Sequence, residues 1–554
     1  MCIRDSSNIE NYLDDHIHEN PIRHGGIIRV YGEKIITNKS MPNSLTLLAC
    51  LIVCCINSVS IFAQKKPNIV FIISDDVGFE EIGCYGVIDR ESITPNIDSL
   101  AEEGFRFNTC YAQAICGPSR AMLYTGNYAV HTGQYDNKLK YLKSDAETVR
   151  GRRSEYRNHY QSLPCLTKIM KDGGYSVSWA GKWHHTAIAG GHVHEISKEI
   201  GIDSYIEYSS SPKMYENLIG KKLIPDDSWE RSAIGGEPII SRYWKPGFIK
   251  DGEMMKTDMN DYGPDILTNF ICEEIKKERP NGQPFFLMYT MNLAHSAHCV
   301  TPYEVDAGAS PDNTHIRKGT AEGAEIFKSQ VRYMDALVGR IIDTVEAQGL
   351  NEDTIIIYTS DNGTTSSAKG KAVEYGVHVP FVLSGPQINR AGPTDELMDF
   401  TDILPTFAEW AGVDLSDAKY DGISLAPFLR GSSNVTKPVI YSFPGPARLI
   451  RTKTHLLEAV SPLYDQPNGK LYKTNGSFDG KGYENLALCD DYSKIRNEFK
   501  HLEARLPSVL PESFSDIIWD RDEMQKAKGY FDDTKRKRQT LSLPKDYAFY
   551  DDSL

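Results

Sequence analysis

The chain has 554 residues, 40% hydrophobic and 25% charged, an ordinary balance for a globular protein and a length that suggests two to four domains. A formal net charge of −14 argues against a nucleic-acid binder, so any polyanionic ligand must be held by a local basic pocket. Seven of the eleven cysteines lie beyond Ala63 at wide, irregular spacing with no C-x-x-C pair, which indicates neither a zinc site nor a disulfide-rich scaffold.

Residues 1–40 show neither helical nor strand periodicity and read as a lead foreign to the folded protein. From Met41 a short polar piece runs into the apolar stretch Leu45–Ile56 and ends near Ala63, the pattern of a cleaved export signal over 41–63. The apolar run is shorter than the ~20 residues a membrane span needs. Leu47-Leu48-Ala49-Cys50 leaves a lipid-anchored form as the lesser alternative to a periplasmic or secreted protein, and no stable membrane partner is expected.

The first element, Asn68–Ser74, is an unbroken apolar run, as in a strand buried on both faces, and it runs into Asp75-Asp76-Val77-Gly78. Thr94–Gly104 begins with helix-start signals and stops at glycine. Phe105–Tyr111 reads as a strand delivering Ile115-Cys116-Gly117-Pro118-Ser119-Arg120. Pro118 suits a first helical turn, which places Cys116 at a helix N-terminus with Arg120 one turn on: an activated cysteine beside an anion site, or else a buried cysteine at a helix start. A helix over Leu166–Met170 leads to the strand Tyr175–Ala180 and then Gly181-Lys182-Trp183-His184. Residues 185–260, rich in Gly, Ser, Pro and charge, read as an insertion over the sheet.

Leu267, Phe270, Ile271 and Ile275 form a helical stripe, and the strand Phe285–Tyr289 follows, ending toward His295. A second amphipathic helix spans Met334–Val345, and Thr354–Ser360 repeats the buried-strand pattern before Asp361-Asn362-Gly363. Lys369 lies in the loop that leads to Val379-Pro380. Past Gly431 come short runs, Val439–Phe443, Ala447–Thr452, His455–Ala459 and Leu471-Tyr472, suited to a small antiparallel sheet, then a charged tail through Lys535–Arg538. The fold expected is α/β: a large, mostly parallel mixed sheet sandwiched by helices over 64–431, with a C-terminal antiparallel subdomain over 432–554.

Ligands gather at the carboxyl ends of strands in such sheets. Asp75, Asp76, Asp361 and Asn362 can meet there as a site for a hard cation, calcium or magnesium, or each pair can simply cap its own turn. With Cys116, Arg120, Lys182, His184, His295 and Lys369 around it, the constellation suits transfer of a sulfuryl or phosphoryl group, in which cations neutralise equatorial oxygens and an acid protonates the leaving oxygen.

The Cys-x-Pro-Ser-Arg segment with Thr125-Gly126 resembles the signature of the type I, formylglycine-dependent sulfatases. So do Asp75-Asp76-Val77-Gly78, Thr94–Gly104, Gly181–His184, Ser360–Gly363, and Lys369, Gly370 and Glu374 before Val379-Pro380; the likeness runs from Pro67 to about Ala487. It implies oxidation of Cys116 to formylglycine by a transiently bound maturing enzyme. It also implies calcium held by Asp75, Asp76, Asp361 and Asn362, with converted Cys116 near the ion. Arg120 would hold the aldehyde hydrate, Lys182 and His184 would assist it, and His295 and Lys369 would contact sulfate and help the leaving group. Attack of one hydrate hydroxyl on sulfur and expulsion of sulfate by the other complete the implied reaction, on a sulfated carbohydrate or another sulfate ester. Tyr124, Asn127, His185, Ala297, Tyr375 and His378 depart from the commoner family residues, and none of these departures removes a proposed catalytic group. Two other readings remain: a phosphatase or phosphodiesterase of the alkaline-phosphatase-like superfamily, and a non-catalytic sulfated-glycan binder.

Overall fold

The computed structural model describes residues 65–505 except 89–90, 136, 138–160, 185–192, 209–240, 297, 313–315, 317–319, 364–367, 445–446 and 461–467. The expected lead and export signal, the charged tail, His185, Ala297 and much of the 185–260 stretch therefore lie outside the described residues.

In chain order, β1 (Asn68–Ser74), α1 (Pro95–Glu103), β2 (Phe105–Tyr111), α2 (Cys116–Thr125), α3 (Leu166–Asp172) and β3 (Ser176–Lys182) form the first half. Strands β4 (Ser204–Tyr208), β5 (Phe248–Lys250) and β6 (Glu253–Met254) follow, then α4 (Gly263–Lys276), β7 (Phe285–Thr290), α5 (Ala321–Ala347), β8 (Thr354–Ser360), β9 (His378–Ser384), β10 (Gly392–Asp399) and α6 (Ile403–Ala411). These strands form one sheet in the order β10-β2-β9-β8-β1-β7-β3-β4-β5-β6. Pairing is parallel along β8-β1-β7-β3-β4 and between β10 and β2, and antiparallel where β9 inserts between β2 and β8 and where β5 and β6 close the edge.

The apolar runs are continuous because both faces of the sheet are covered. Along β1, Ile69, Phe71 and Ile73 enter one core while Val70 and Ile72 enter the other, the period-two alternation of a strand. Met122 and Leu123 of α2, Leu166 and Ile169 of α3, and Ile403, Leu404 and Phe407 of α6 pack on the first face. Ile97 and Leu100 of α1, Leu267 and Ile271 of α4, and Met334, Leu337 and Ile341 of α5 pack on the second. Each such side chain, fully buried, contributes about 1.5–3 kcal/mol.

The 185–260 stretch is more than a covering insertion. β4 pairs in parallel with β3, and β5 and β6 add to the edge, so that part of it extends the sheet itself. Past Gly431, strands β11 (Val439–Ser442), β12 (Arg448–Thr452), β13 (His455–Val460), β14 (Lys470–Lys473) and β15 (Glu484–Asn485) form a meandering antiparallel sheet, followed by α7 (Tyr492–Arg505). Ile440, Leu449, Leu456 and Tyr472 of this sheet share a small core with Tyr111 of β2 and with Val377, the residue before β9.

Candidate active site

β1 and β8 are parallel neighbours with Ser74 opposite Ser360, so Asp75-Asp76 and Asp361-Asn362 leave the sheet side by side. The Asp361 amide donates to the Ser74 carbonyl (3.0 Å) and the Asp76 amide to Asp361 Oδ1 (3.2 Å). Asn362 Nδ2 donates to Asp76 Oδ1 (2.9 Å), which turns Asn362 Oδ1 away from it. Asp75 Oδ1 and Asn362 Oδ1 are buried and accept no hydrogen bond among the described residues, a costly state unless an ion or ligand completes them.

α2 begins at Cys116, whose Sγ lies with carboxylate oxygens of Asp75 and Asp361 inside a 4.8 Å group. Asp75, Asp76 and a ring nitrogen of His295 make a second such group. Three carboxylates and an amide oxygen, two of their atoms orphaned, fit a hard divalent cation better than zinc.

Each acid has a cation. Arg120, fully buried one turn into α2, donates from Nε (3.1 Å) and Nη2 (2.8 Å) to Asp361 Oδ2 and from Nη1 to the Lys182 carbonyl (2.5 Å). Lys182, the last residue of β3, reaches Asp75 Oδ2 at 2.6 Å. Lys369 pairs with Asp76, and His295 Nε2 stands 3.7 Å from Asp76 Oδ2. Lys369 is anchored by its neighbour: the Gly370 amide donates to the Ala114 carbonyl, two residues before Cys116 (2.7 Å). His184 takes a left-handed backbone conformation (φ +60°) just past β3, with Nδ1 buried and without a partner among the described residues.

Burial opposes ionisation of Asp75, but Lys182, His295 and Arg120 outweigh it and hold the carboxyl well below its usual range. Asp76, buried beside Lys369 and His295, falls to about 2. Asp361 is pushed up instead, by burial and the Asp75 charge, against Arg120; a cation between the two acids would relieve that repulsion. Burial pushes both His184 and His295 well below the usual imidazole value.

The structure thus brings together every site residue expected from the sequence. It adds Asn137, whose Oδ1 accepts the Gly117 amide (2.9 Å) and whose Nδ2 lies 3.5 Å from Cys116 Sγ. A Cβ at Gly117 would lie 2.4 Å from that Oδ1, so a larger residue would push the Asn137 amide away from its present place. Asn137 stands in a polar loop with no periodicity or spacing to mark it. The residue pattern alone could not single it out.

A buried nucleophile position, a hard-cation cradle and paired cations at the carboxyl edge of an α/β sheet define a hydrolase of oxyanion esters. Residues 67–413 match the Sulfatase family, and the chain belongs to it: it is a sulfatase, a hydrolase of sulfate esters. It is similar to arylsulfatase A of Homo sapiens, 27% identical over 412 residues covering 69% of this chain and 71% of that protein. It is also similar to an N-acetylglucosamine-6-O-sulfatase of Bacteroides thetaiotaomicron, 26% identical over 459 residues covering 71% and 76%. The crystal structure of Ps i-CgsB in complex with k-i-k-neocarrahexaose shares the fold, with a TM-score of 0.62 at 21% identity, covering 84% of this chain and 98% of that one.

Proposed function

We propose that the protein is an exported carbohydrate sulfatase acting through formylglycine at Cys116 and a calcium ion. The observation that carries this reading is the meeting of Cys116 Sγ with Asp75 and Asp361 inside one 4.8 Å group, ringed by Arg120, Lys182 and Lys369. Asp75, Asp76, Asp361 and Asn362 would hold the ion. When present, the ion would neutralise sulfate oxygens and the hydrated aldehyde would supply the attacking oxygen.

The remaining work falls to this chain's other groups. Arg120 fixes the start of α2 against Asp361 and the Lys182 carbonyl, which orients residue 116 toward the ligand set. Lys182 and His184 stand beside it at the end of β3, where they stabilise charge on the transferred group. His295 and Lys369, both against Asp76, face the departing alcohol. The carbohydrate assignment draws support from the names of its relatives, one an N-acetylglucosamine-6-O-sulfatase, and from a structural neighbour bound to a neocarrahexaose. Residues 41–63 are assigned as the export signal, 64–431 as the catalytic part and 432–554 as the C-terminal subdomain.

The test is the mass of the tryptic peptide spanning Cys116, from protein made together with a sulfatase-maturing enzyme, alongside sulfate release from sulfated saccharides. The aldehyde mass, with release abolished in Cys116→Ala, is the expected result. An unmodified cysteine in protein that still releases sulfate would refute the formylglycine reading. Saccharide binding by converted protein without any release would refute the proposed reaction.

A further inference from the structure

The charges around the centre are nearly all committed. Arg120, Lys182 and Lys369 each lie within ion-pair distance of Asp75, Asp76 or Asp361. One cation beside them is different. Arg242 has a buried Nη1 with no hydrogen-bond partner among the described residues.

Its position is set by two contacts. The guanidinium carbon stacks 5.0 Å from the centroid of the Tyr208 ring. Tyr208 ends β4 and stands opposite Lys182 in the parallel β3–β4 register, so the stack lies at the carboxyl edge of the sheet next to the site. The next residue, Tyr243, donates its buried hydroxyl to the carbonyls of Asn292 (3.1 Å) and His295 (2.5 Å). Arg242 is therefore held between the Lys182 strand end and the His295 loop, on the side where the departing alcohol is assigned. Burial opposes its charge, and Tyr208, Tyr243, Asp75 and Asp76 outweigh that opposition. A buried guanidinium donor left unmatched is costly, and its planar fork suits a carboxylate or a sulfate.

We propose that Arg242, stacked on Tyr208, forms a second anion subsite that binds a negatively charged group on the alcohol part of the substrate, so that the enzyme selects polyanionic saccharides. This rests on the sulfatase reading for the neighbouring centre. The shared chemistry is an oxyanion one sugar position away from the scissile ester, a second sulfate or a uronate carboxylate.

Calorimetric titration of the full-length Cys116→Ala protein tests it with three probes: a disulfated disaccharide, a monosulfated disaccharide carrying a uronate, and a monosulfated neutral disaccharide. At least one of the first two binds about ten-fold tighter than the third, and which one identifies the anion. Adding Arg242→Gln levels that preference, while Arg242→Lys, which keeps the charge but not the fork, retains part of it. Thermal melting establishes that both variants are folded. Equal affinity for all three probes overturns the proposal. So does an Arg242→Gln variant that weakens the neutral monosulfated probe as much as the others, since Arg242 would then hold the scissile sulfate. Sulfate release by converted protein separates the two readings: preference without release removes the hydrolase reading alone, and release without an Arg242-dependent preference removes the subsite alone.

Discussion

Arg120 carries more of the site than a single substrate contact would. Its guanidinium satisfies Asp361 and the Lys182 carbonyl at once, with no exposed surface. Lysine offers one point charge in place of the fork and would leave a buried carboxylate short of donors. Arg120→Lys is expected to destabilise the protein by about 1–3 kcal/mol, measured by urea unfolding; a change near zero would mean that the fork is not structural. His378 gives a pH dependence of known sign. Its ring stacks on Phe79 at 3.7 Å and its Nε2 donates to the Asn108 carbonyl at 2.8 Å, while burial lowers its pKa from 6.5 to about 3. Below pH 6.5 the unfolded chain takes up a proton that the folded chain refuses, so this contribution to stability is present above that value and is lost as pH falls toward 3. The slope from this group is about 1.4 kcal/mol per pH unit, and His378→Gln is expected to flatten the stability profile between about pH 4 and pH 6. An unchanged slope in that variant would place the acid sensitivity elsewhere. At this scale Cys116, Arg120 and the four proposed cation ligands were legible because each follows a strong strand or opens a helix. Asn137 and Arg242 were not, since polar residues in irregular segments carry no local signal.

Among the elements, β1 and β8 were readable to the residue, because a strand covered on both faces must be apolar throughout. α5 was readable only in its second half. Its 27 residues begin at Ala321, and Phe327 and Val331 already enter the same buried core upstream of Met334. β4 and β5 were missed as sheet strands, for their pairing is with distant partners and their surroundings are rich in turn-forming residues. β3 carries its own constraint. Gly181 has φ +112°, and a Cβ there would sit 1.8 Å from the Thr290 carbonyl oxygen of β7. Gly181→Ala is expected to cost about 3 kcal/mol or more and to draw the neighbouring Lys182 off Asp75. Thermal melting and sulfate release measure the two effects, and a neutral substitution would mean that β3 and β7 can separate there without penalty.

For the whole molecule, the two sheets share a structural task. Glu374, on the far side of the Lys369 loop, accepts from Tyr111 Oη (2.6 Å) of β2, lies 3.7 Å from Arg451 of β12, and donates its amide to Glu458 of β13 (3.0 Å). The Ala459 amide donates to the Ala372 carbonyl (2.8 Å). The small sheet thereby braces the loop that carries Lys369 to the site. The proposed cation cradle would also act as a global stability term, because an ion that binds only the folded chain stabilises it by mass action. Calcium at a hundred times its dissociation constant is expected to add about 2.7 kcal/mol, and a chelator to remove the gain reversibly. Differential scanning calorimetry with and without calcium reads this directly, and no change in melting temperature would count against a calcium site.

The apolar runs and their Asp-Asp and Asp-Asn endings determined the class of sheet and the carboxyl-edge site, because burial on two faces writes its pattern into consecutive residues. The Cys-x-Pro-Ser-Arg segment determined the family by the same locality. Only the tertiary structure decided which strand pairs with which, that β9 runs antiparallel inside the sheet, and that a small sheet from the chain's far end supports the Lys369 loop. The same holds for Arg242, which follows a stretch with no regular pattern and stands beside His295 through one tyrosine hydroxyl. Contacts between residues tens to hundreds apart depend on how elements pack, and no local pattern of residue types records that packing.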